Sequence, residues 1–163
     1  MRLDVTRIIN TPGDGIDFNE ELDLSDVDFG GVCPAVRPVS VVGTVRNIAG
    51  MLRLRMDVDA SLSCVCDRCG AAFDKSFHVL VERMLASELE DSNHDDILLL
   101  DDGAFDLDEL TREAFILGMD TKTLCREDCK GLCSGCGANL NREACRCKKQ
   151  FDSRWAALKK LIQ

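Results

Sequence analysis

From residue 39 onward the apolar positions fall into a period of two. Residues 39–46, VSVVGTVR, and 51–62, MLRLRMDVDASL, both lean toward alternation, and NIAG between them suits a turn. In the second run Leu52, Leu54, Met56, Val58 and Ala60 share one face. Arg53, Arg55, Asp57 and Asp59 share the other, the pattern of a strand buried on one side only. A third run, AAFDKSFHVLVERMLA, puts Phe73, Phe77, Val79 and Val81 on one face. These runs predict a three-stranded antiparallel meander whose second turn carries CDRCG.

The flanks are less regular. Leu3, Val5 and Ile8 predict an N-terminal strand, whereas DGIDFNEELDLSDVDFGG has no assignable period. SELEDSNHDD, residues 87–96, reads as a polar, acidic loop. ILLL and the turn signal DDG follow. Asp106 is placed to cap a helix, with Glu109 as its capping-box partner. Leu107, Leu110, Ala114 and Leu117 form the predicted buried stripe, ending near Gly118. The closing DSRWAALKKLIQ predicts a second helix, capped by Asp152, with Trp155, Leu158, Leu161 and Ile162 facing inward. No internal repeat is evident. The expected fold is α+β: an antiparallel β-sheet with a packed helix, over residues 1–120, and a C-terminal cysteine-rich zinc-knuckle module ending in a short helix, over 121–163.

Composition supports a real core, since 45% of the 163 residues are apolar. MRLDVTRIINTPGDG contains no apolar run that could serve as a signal-peptide core, and no stretch reaches the roughly 20 apolar residues of a bilayer span. A cytoplasmic location is therefore expected, where clustered cysteines hold metal rather than pair as disulfides. The net charge of −9 is unevenly spread. Residues 1–120 hold 10 Lys+Arg against 25 Asp+Glu, and residues 121–163 hold 10 against 4. Any contact with nucleic acid is thus expected through the tail. Four thiolates around one Zn²⁺ carry a formal charge of about −2, which offsets part of that basicity.

Six of the ten cysteines fall between Cys125 and Cys147. Cys133-Ser-Gly-Cys136-Gly137 is a knuckle in which two thiolates grip one tetrahedral ion, and the following glycine relieves a turn where φ is often positive. Cys145 and Cys147 supply a second pair, giving C-x2-C-x8-C-x-C, although either of them can ligate alone. Cys66-Asp-Arg-Cys69-Gly70 is another knuckle, and Cys125 and Cys129 are available to complete it. A competing partition moves Cys129 into the first set in place of Cys145. The expected cofactor is Zn²⁺, one or two per chain. Cys64 and Cys33 read as small apolar residues.

Cys129, Cys133 and Cys136 also fit the C-x3-C-x2-C spacing of radical-SAM iron–sulfur sites. That motif belongs early in an α/β barrel, whereas here it comes late, with no βαβ series before it. A thioredoxin-like C-x-x-C needs an α/β context too. Catalytic zinc needs an open coordination position and a nearby base, and a closed four-cysteine set has no such position. No HExxH, zinc-deaminase or glycine-rich phosphate-loop pattern occurs. Of the two histidines, His78 is expected to be exposed on the third strand, and His94 lies in the acidic loop. With no tyrosine and only Trp155, base-stacking platforms are not expected. No catalytic residue is assigned, and the residues favour a binding protein over an enzyme.

LCREDCKGLCSGCGANLNREACRC followed by DSRWAALKKL resembles the C-terminal signature of the YceD family, the large ribosomal RNA subunit accumulation proteins. CDRCGAAF resembles that family's upstream C-x-R-C motif, matched by Cys66, Arg68, Cys69 and Phe73. The chain departs from the family in having Met119-Asp120 and no linker proline, and in having Ser134 and Ser153 where relatives often carry proline. Some members lack the tail cysteines, so the family's role does not depend on zinc in all of them. The resemblance implies a bacterial part in making the large ribosomal subunit. In one expectation, a large-subunit ribosomal protein or assembly factor binds the acidic body, while Lys148, Lys149, Arg154, Lys159 and Lys160 touch pre-ribosomal RNA. In the other, the chain is a zinc-held adaptor with protein partners alone.

Overall fold

The computed structural model describes residues 1–27, 35–88 and 97–147. In chain order the elements are β1 (Arg2–Asp4), α1 (Thr6–Ile9), β2 (Gly15–Leu22), β3 (Val39–Ile48), β4 (Met51–Val65), β5 (Ala72–Ala86), β6 (Ile97–Leu99), β7 (Ala104–Asp106) and α2 (Leu107–Gly118). Two compact units result. One comprises Met1–Cys64 with Ala72–Thr123, the other Val65–Ala71 with Leu124–Gln163. The fold is α+β.

A five-stranded sheet in the order β2-β3-β4-β5-β6 dominates the first unit. The β2–β3 and β3–β4 pairs are antiparallel, and the short β6 joins β5 in parallel. Ile48 faces Met51 across a two-residue turn, Ala49-Gly50, in which both residues have positive φ. This is the twist-matched geometry of a tight hairpin. The expected alternation of β4 holds and runs further, with Leu52, Leu54, Met56, Val58, Leu62 and Cys64 buried and Ala60 partly so. On β5, Phe77, Val81 and Leu85 are buried, with Phe73 and Val79 packed beside them. Burying each large aliphatic chain stabilises by about 1.5–3 kcal/mol, which makes this face the core.

The acidic segment without a sequence period contains β2. Phe18 is buried, and its ring packs over Gly43, its cross-strand partner. A Cβ at position 43 would run into that ring and into Met56. The N-terminus differs from expectation. Only Arg2–Asp4 are extended, pairing with β7, and Thr6–Ile9 turn into α1. Asp4 Oδ1 accepts from the Thr6 amide at 2.8 Å at the start of that turn. Ile8 then reaches the core from a helical position.

Asn47 ties these parts together. It is 2% exposed, and its Nδ2 donates to the carbonyls of Ile8 at 2.7 Å and Ile9 at 2.8 Å. Its Oδ1 accepts from the Gly50 amide at 2.9 Å.

Asp106 caps α2 as expected, accepting from the amides of Asp108 and Glu109. The amino group of Met1 adds an ion pair with Asp108. The buried stripe is Leu107, Leu110, Thr111 and Phe115, and Leu117 is 72% exposed. At roughly 100° per residue, Leu117 lies about 120° around the helix from Thr111, whereas Phe115 lies about 40° from it. Phe115 meets Phe77 with ring centroids 4.9 Å apart and planes tilted by 57°. The expected C-terminal helix lies outside the described residues.

Candidate metal centre

Both cysteine sets lie in the second unit. In the first, the β4–β5 turn supplies Cys66 and Cys69, and the segment after Thr123 supplies Cys125 and Cys129. Cys66, Cys69 and Cys129 are buried, and Cys125 is half-buried. All four sulfurs lie within 4.8 Å of one another. The Cys66–Cys129 and Cys69–Cys125 separations are both 3.8 Å. A tetrahedron with metal–sulfur bonds of about 2.3 Å has an edge of about 3.8 Å. Disulfide bonds need about 2.05 Å, and these cysteines are free.

Hydrogen bonds hold this set in place. Arg68, between the two knuckle cysteines, donates from Nη1 to the Cys129 carbonyl at 2.9 Å. Its own carbonyl accepts from the Leu132 amide at 3.0 Å. Asn141 Nδ2 points at Cys129 Sγ at 3.4 Å, while its Oδ1 accepts from the Lys130 amide and from Arg126. Such outer contacts orient ligand atoms.

The second set is Cys133, Cys136, Cys145 and Cys147, again within 4.8 Å of one another. Cys133 is half-buried and Cys136, Cys145 and Cys147 are exposed, whereas three of the four cysteines of the first set are buried. Cys145 Sγ lies 3.1 Å from Cys133 Sγ and 3.7 Å from Cys136 Sγ. Cys129 thus sits with Cys66, and Cys145 with Cys133, which is the arrangement opposite to the competing partition.

The two knuckles fold alike. In one, the Gly70 amide donates to the Cys66 carbonyl at 2.8 Å and the Cys66 amide to the Ala71 carbonyl at 2.9 Å. In the other, Gly137 donates to Cys133 and Cys133 to Ala138, both at 2.8 Å. Gly70 and Gly137 have φ of 67° and 73°, a region that a side chain disfavours. The sequence carries the same hexamer pattern, C-x-x-C-G-A, at 66–71 and 133–138. A six-residue unit is far shorter than the periods that mark repeat architectures, so the shared pattern does not amount to an internal repeat of the fold.

Crowding splits the thiol acidities. Amide donors, that of Cys125 foremost, lower Cys66 to about 6. Burial, followed by hydrogen bonding to Cys66, pushes Cys125 up to about 12. In the second set, the Cys145 thiol and the amides of Gly135 and Cys136 lower Cys133 to about 6. Hydrogen bonding to Cys136 and Cys145 pushes Cys147 up to about 12. Four thiolates this close cannot all ionise at neutral pH without a cation among them. The donor set, its spacing and its charge fit a soft or borderline divalent ion in tetrahedral coordination. Each cluster can hold a metal ion.

The other residues singled out in the sequence fall elsewhere. Cys64 is buried in the core of the first unit, where burial raises its pKa. His78 is exposed, with Nδ1 3.0 Å from Asp59 and Nε2 3.6 Å from Asp57 across the sheet. Sequence placed these aspartates on the outer face of β4 but gave no signal of the pairing. Cys33, His94, Lys148, Lys149, Arg154, Trp155, Lys159 and Lys160 lie outside the described residues. Among the described residues, no helix is long and apolar enough to cross a membrane.

Comparison with known proteins decides the family. The profile described as "Large ribosomal RNA subunit accumulation protein YceD" matches residues 54–162, more than half the chain, and spans both cysteine clusters. The chain belongs to the YceD family. It is also similar to the uncharacterized protein Rv2926c of Mycobacterium tuberculosis and the uncharacterized protein Mb2951c of Mycobacterium bovis. Each is 25% identical over 174 residues, which cover 99% of this chain and 81% of the relative. No solved structure matches. Family membership points to a role in the accumulation of the large ribosomal subunit.

Proposed function

We propose that this YceD-family chain is a cytoplasmic, non-enzymatic factor of bacterial large-subunit assembly whose second unit is ordered by two zinc ions. The observation that carries the reading is the coincidence of the family match with two closed four-sulfur clusters inside the matched span. Zinc is preferred over an iron–sulfur cluster because each set of four sulfurs lies within 4.8 Å, near the edge of about 3.8 Å expected around a single ion, which is too close to surround several irons and their bridging sulfides. A closed shell has no position for substrate or activated water, so the metal is structural and the chain acts by binding.

The acidic first unit repels RNA phosphates and favours a basic ribosomal protein or assembly factor. Lys148, Lys149, Arg154, Lys159 and Lys160 are the residues proposed to meet pre-ribosomal RNA. Five phosphate contacts predict a log–log salt slope of roughly −3 to −5 for that binding. The test is co-sedimentation of the tagged protein with large-subunit precursors, wild type against the triple variant K148E/K149E/K160E. Loss of association in the variant, with zinc content unchanged, is expected. Undiminished association overturns the tail's part and leaves the protein-only adaptor.

A further inference from the structure

β2 is an edge of the five-stranded sheet, with a partner on one side only among the described residues. Its eight residues, GIDFNEEL, pair with β3 in unbroken register, without proline, lysine or a bulge. Every second residue of such a strand turns its N–H and C=O away from its neighbour. Long straight edges are normally blunted, because they recruit further strands. Here the guard is charge of a single sign. Residues 14–26 hold six Asp+Glu and no Lys or Arg. Asp17 is engaged by Arg46 at 2.6 Å and Asp26 by a two-pronged contact with Arg112, but among the described residues Glu20 and Glu21 have no such arginine.

The two sides of the strand ask for different things. On the core-facing side, Ile16 and Leu22 pack against the core yet remain only partly buried. A further strand would cover them. Glu21, on the solvent side, and Glu20, half-buried on the other, repel a second copy of the same strand, since pairing two acidic edges places like charges opposite each other. A basic strand meets no such barrier.

We propose that the free edge of β2 takes an extended segment of a partner protein as an added strand, its lysines or arginines alternating with apolar residues. Main-chain hydrogen bonds supply the attachment, and the alternating side chains supply the selectivity. The apolar set completes the cover over Ile16 and Leu22 on the core-facing side, which Glu20 shares, and the basic set meets Glu21 on the solvent side. The inference rests on the reading above in taking the partner to be a basic assembly protein.

The test uses the full zinc-loaded chain and a capped ten-residue peptide alternating Lys and Val. Controls are a Glu/Val counterpart and Lys/Val peptides N-methylated at alternate amides, one for each edge. Titration calorimetry and amide exchange are read together. Expected are binding of the Lys/Val peptide, new exchange protection confined to β2 and its neighbours, and loss of binding for one methylated peptide. E20K/E21K weakens binding roughly tenfold or more, and the milder Glu21→Gln roughly two- to fivefold, since each exposed charge pair contributes modestly. Equal affinity in E20K/E21K, protection away from β2, tolerance of both methylated peptides, or displacement by an RNA oligonucleotide would each overturn the proposal. Wild-type protein that co-sediments with precursors but ignores the peptide overturns the edge alone. Peptide binding without co-sedimentation keeps the edge and overturns the assembly reading.

Discussion

Replacing Asn47 by Ala tests whether one buried amide holds the N-terminal helix to the sheet. The loss can be worked out group by group. Three hydrogen bonds disappear, those to the Ile8 and Ile9 carbonyls and that from the Gly50 amide. The Ile8 carbonyl keeps the Thr11 amide at 3.2 Å, so it is weakened rather than orphaned. The Ile9 carbonyl and Gly50 amide lose the side-chain partner, at about 1 kcal/mol or more each when desolvated. Backbone bonds of Asn47 to Asp14 and Gly13 survive the change. The sum is about 2–3 kcal/mol, which lowers Tm by ~10 °C in a domain of this size. Urea unfolding followed by far-UV circular dichroism measures it; fluorescence is unsuitable because the chain lacks tyrosine and Trp155 lies in the tail. Asn47→Asp sharpens the test. Its carboxylate would face two carbonyl oxygens, so the charged form is disfavoured and the folded pKa is raised. The penalty is therefore largest at neutral pH and shrinks as pH falls and the group protonates. An Ala variant within about 0.5 kcal/mol of wild type, or an Asp variant no worse than Ala, would refute the reasoning.

Further outcomes follow from the same contacts. Elemental analysis of the native protein should give two zinc ions per chain; one, or iron, removes the two-cluster arrangement. A strong chelator should abolish amide-exchange protection across 124–147 while β3, β4 and β5 keep theirs, because a segment this poor in apolar bulk depends on metal for order; unchanged protection in the tail would falsify the metal claim. Protons compete with metal for thiolates, and the metal-free thiols of Cys66 and Cys133 ionise above about pH 6. A chromogenic chelator should therefore report release growing steeply below that pH, and the exposed cluster should lose its ion first. Gly43→Ala should destabilise by about 1–3 kcal/mol through displacement of the Phe18 ring, measured by the same urea titration.

The strands around the sheet centre were legible because one face is wet: Arg53, Arg55, Asp57 and Asp59 alternate with a continuous apolar set along β4. β2 escaped because an edge strand covers less core, leaving only Ile16, Phe18 and Leu22 as apolar signals among acids. α1 passed for a strand because Leu3, Val5 and Ile8 do not distinguish a short extended piece from one turn of helix. On α2 the cap was readable, but the stripe missed Thr111 and took Leu117 in place of Phe115, because both are apolar and only packing against Phe77 chooses between them. The parallel attachment of β6 has no sequence mark at all, being a three-residue strand. At the metal centre, spacing identified both knuckles. The pairing of the 66–69 knuckle with Cys125 and Cys129, rather than any other cysteines, is a matter of tertiary distance.

The second unit is assembled from stretches of chain that are far apart in order of synthesis. Cys66 and Cys69 leave the ribosome well before Cys125 and Cys129, so on a nascent chain they wait as a bare dithiol while the strands around them form. Premature termination after the sheet would strand that dithiol permanently, exposing it to oxidants and stray metals. The same interleaving means that a fragment beginning at Leu124 retains one complete sulfur tetrahedron and half of the other.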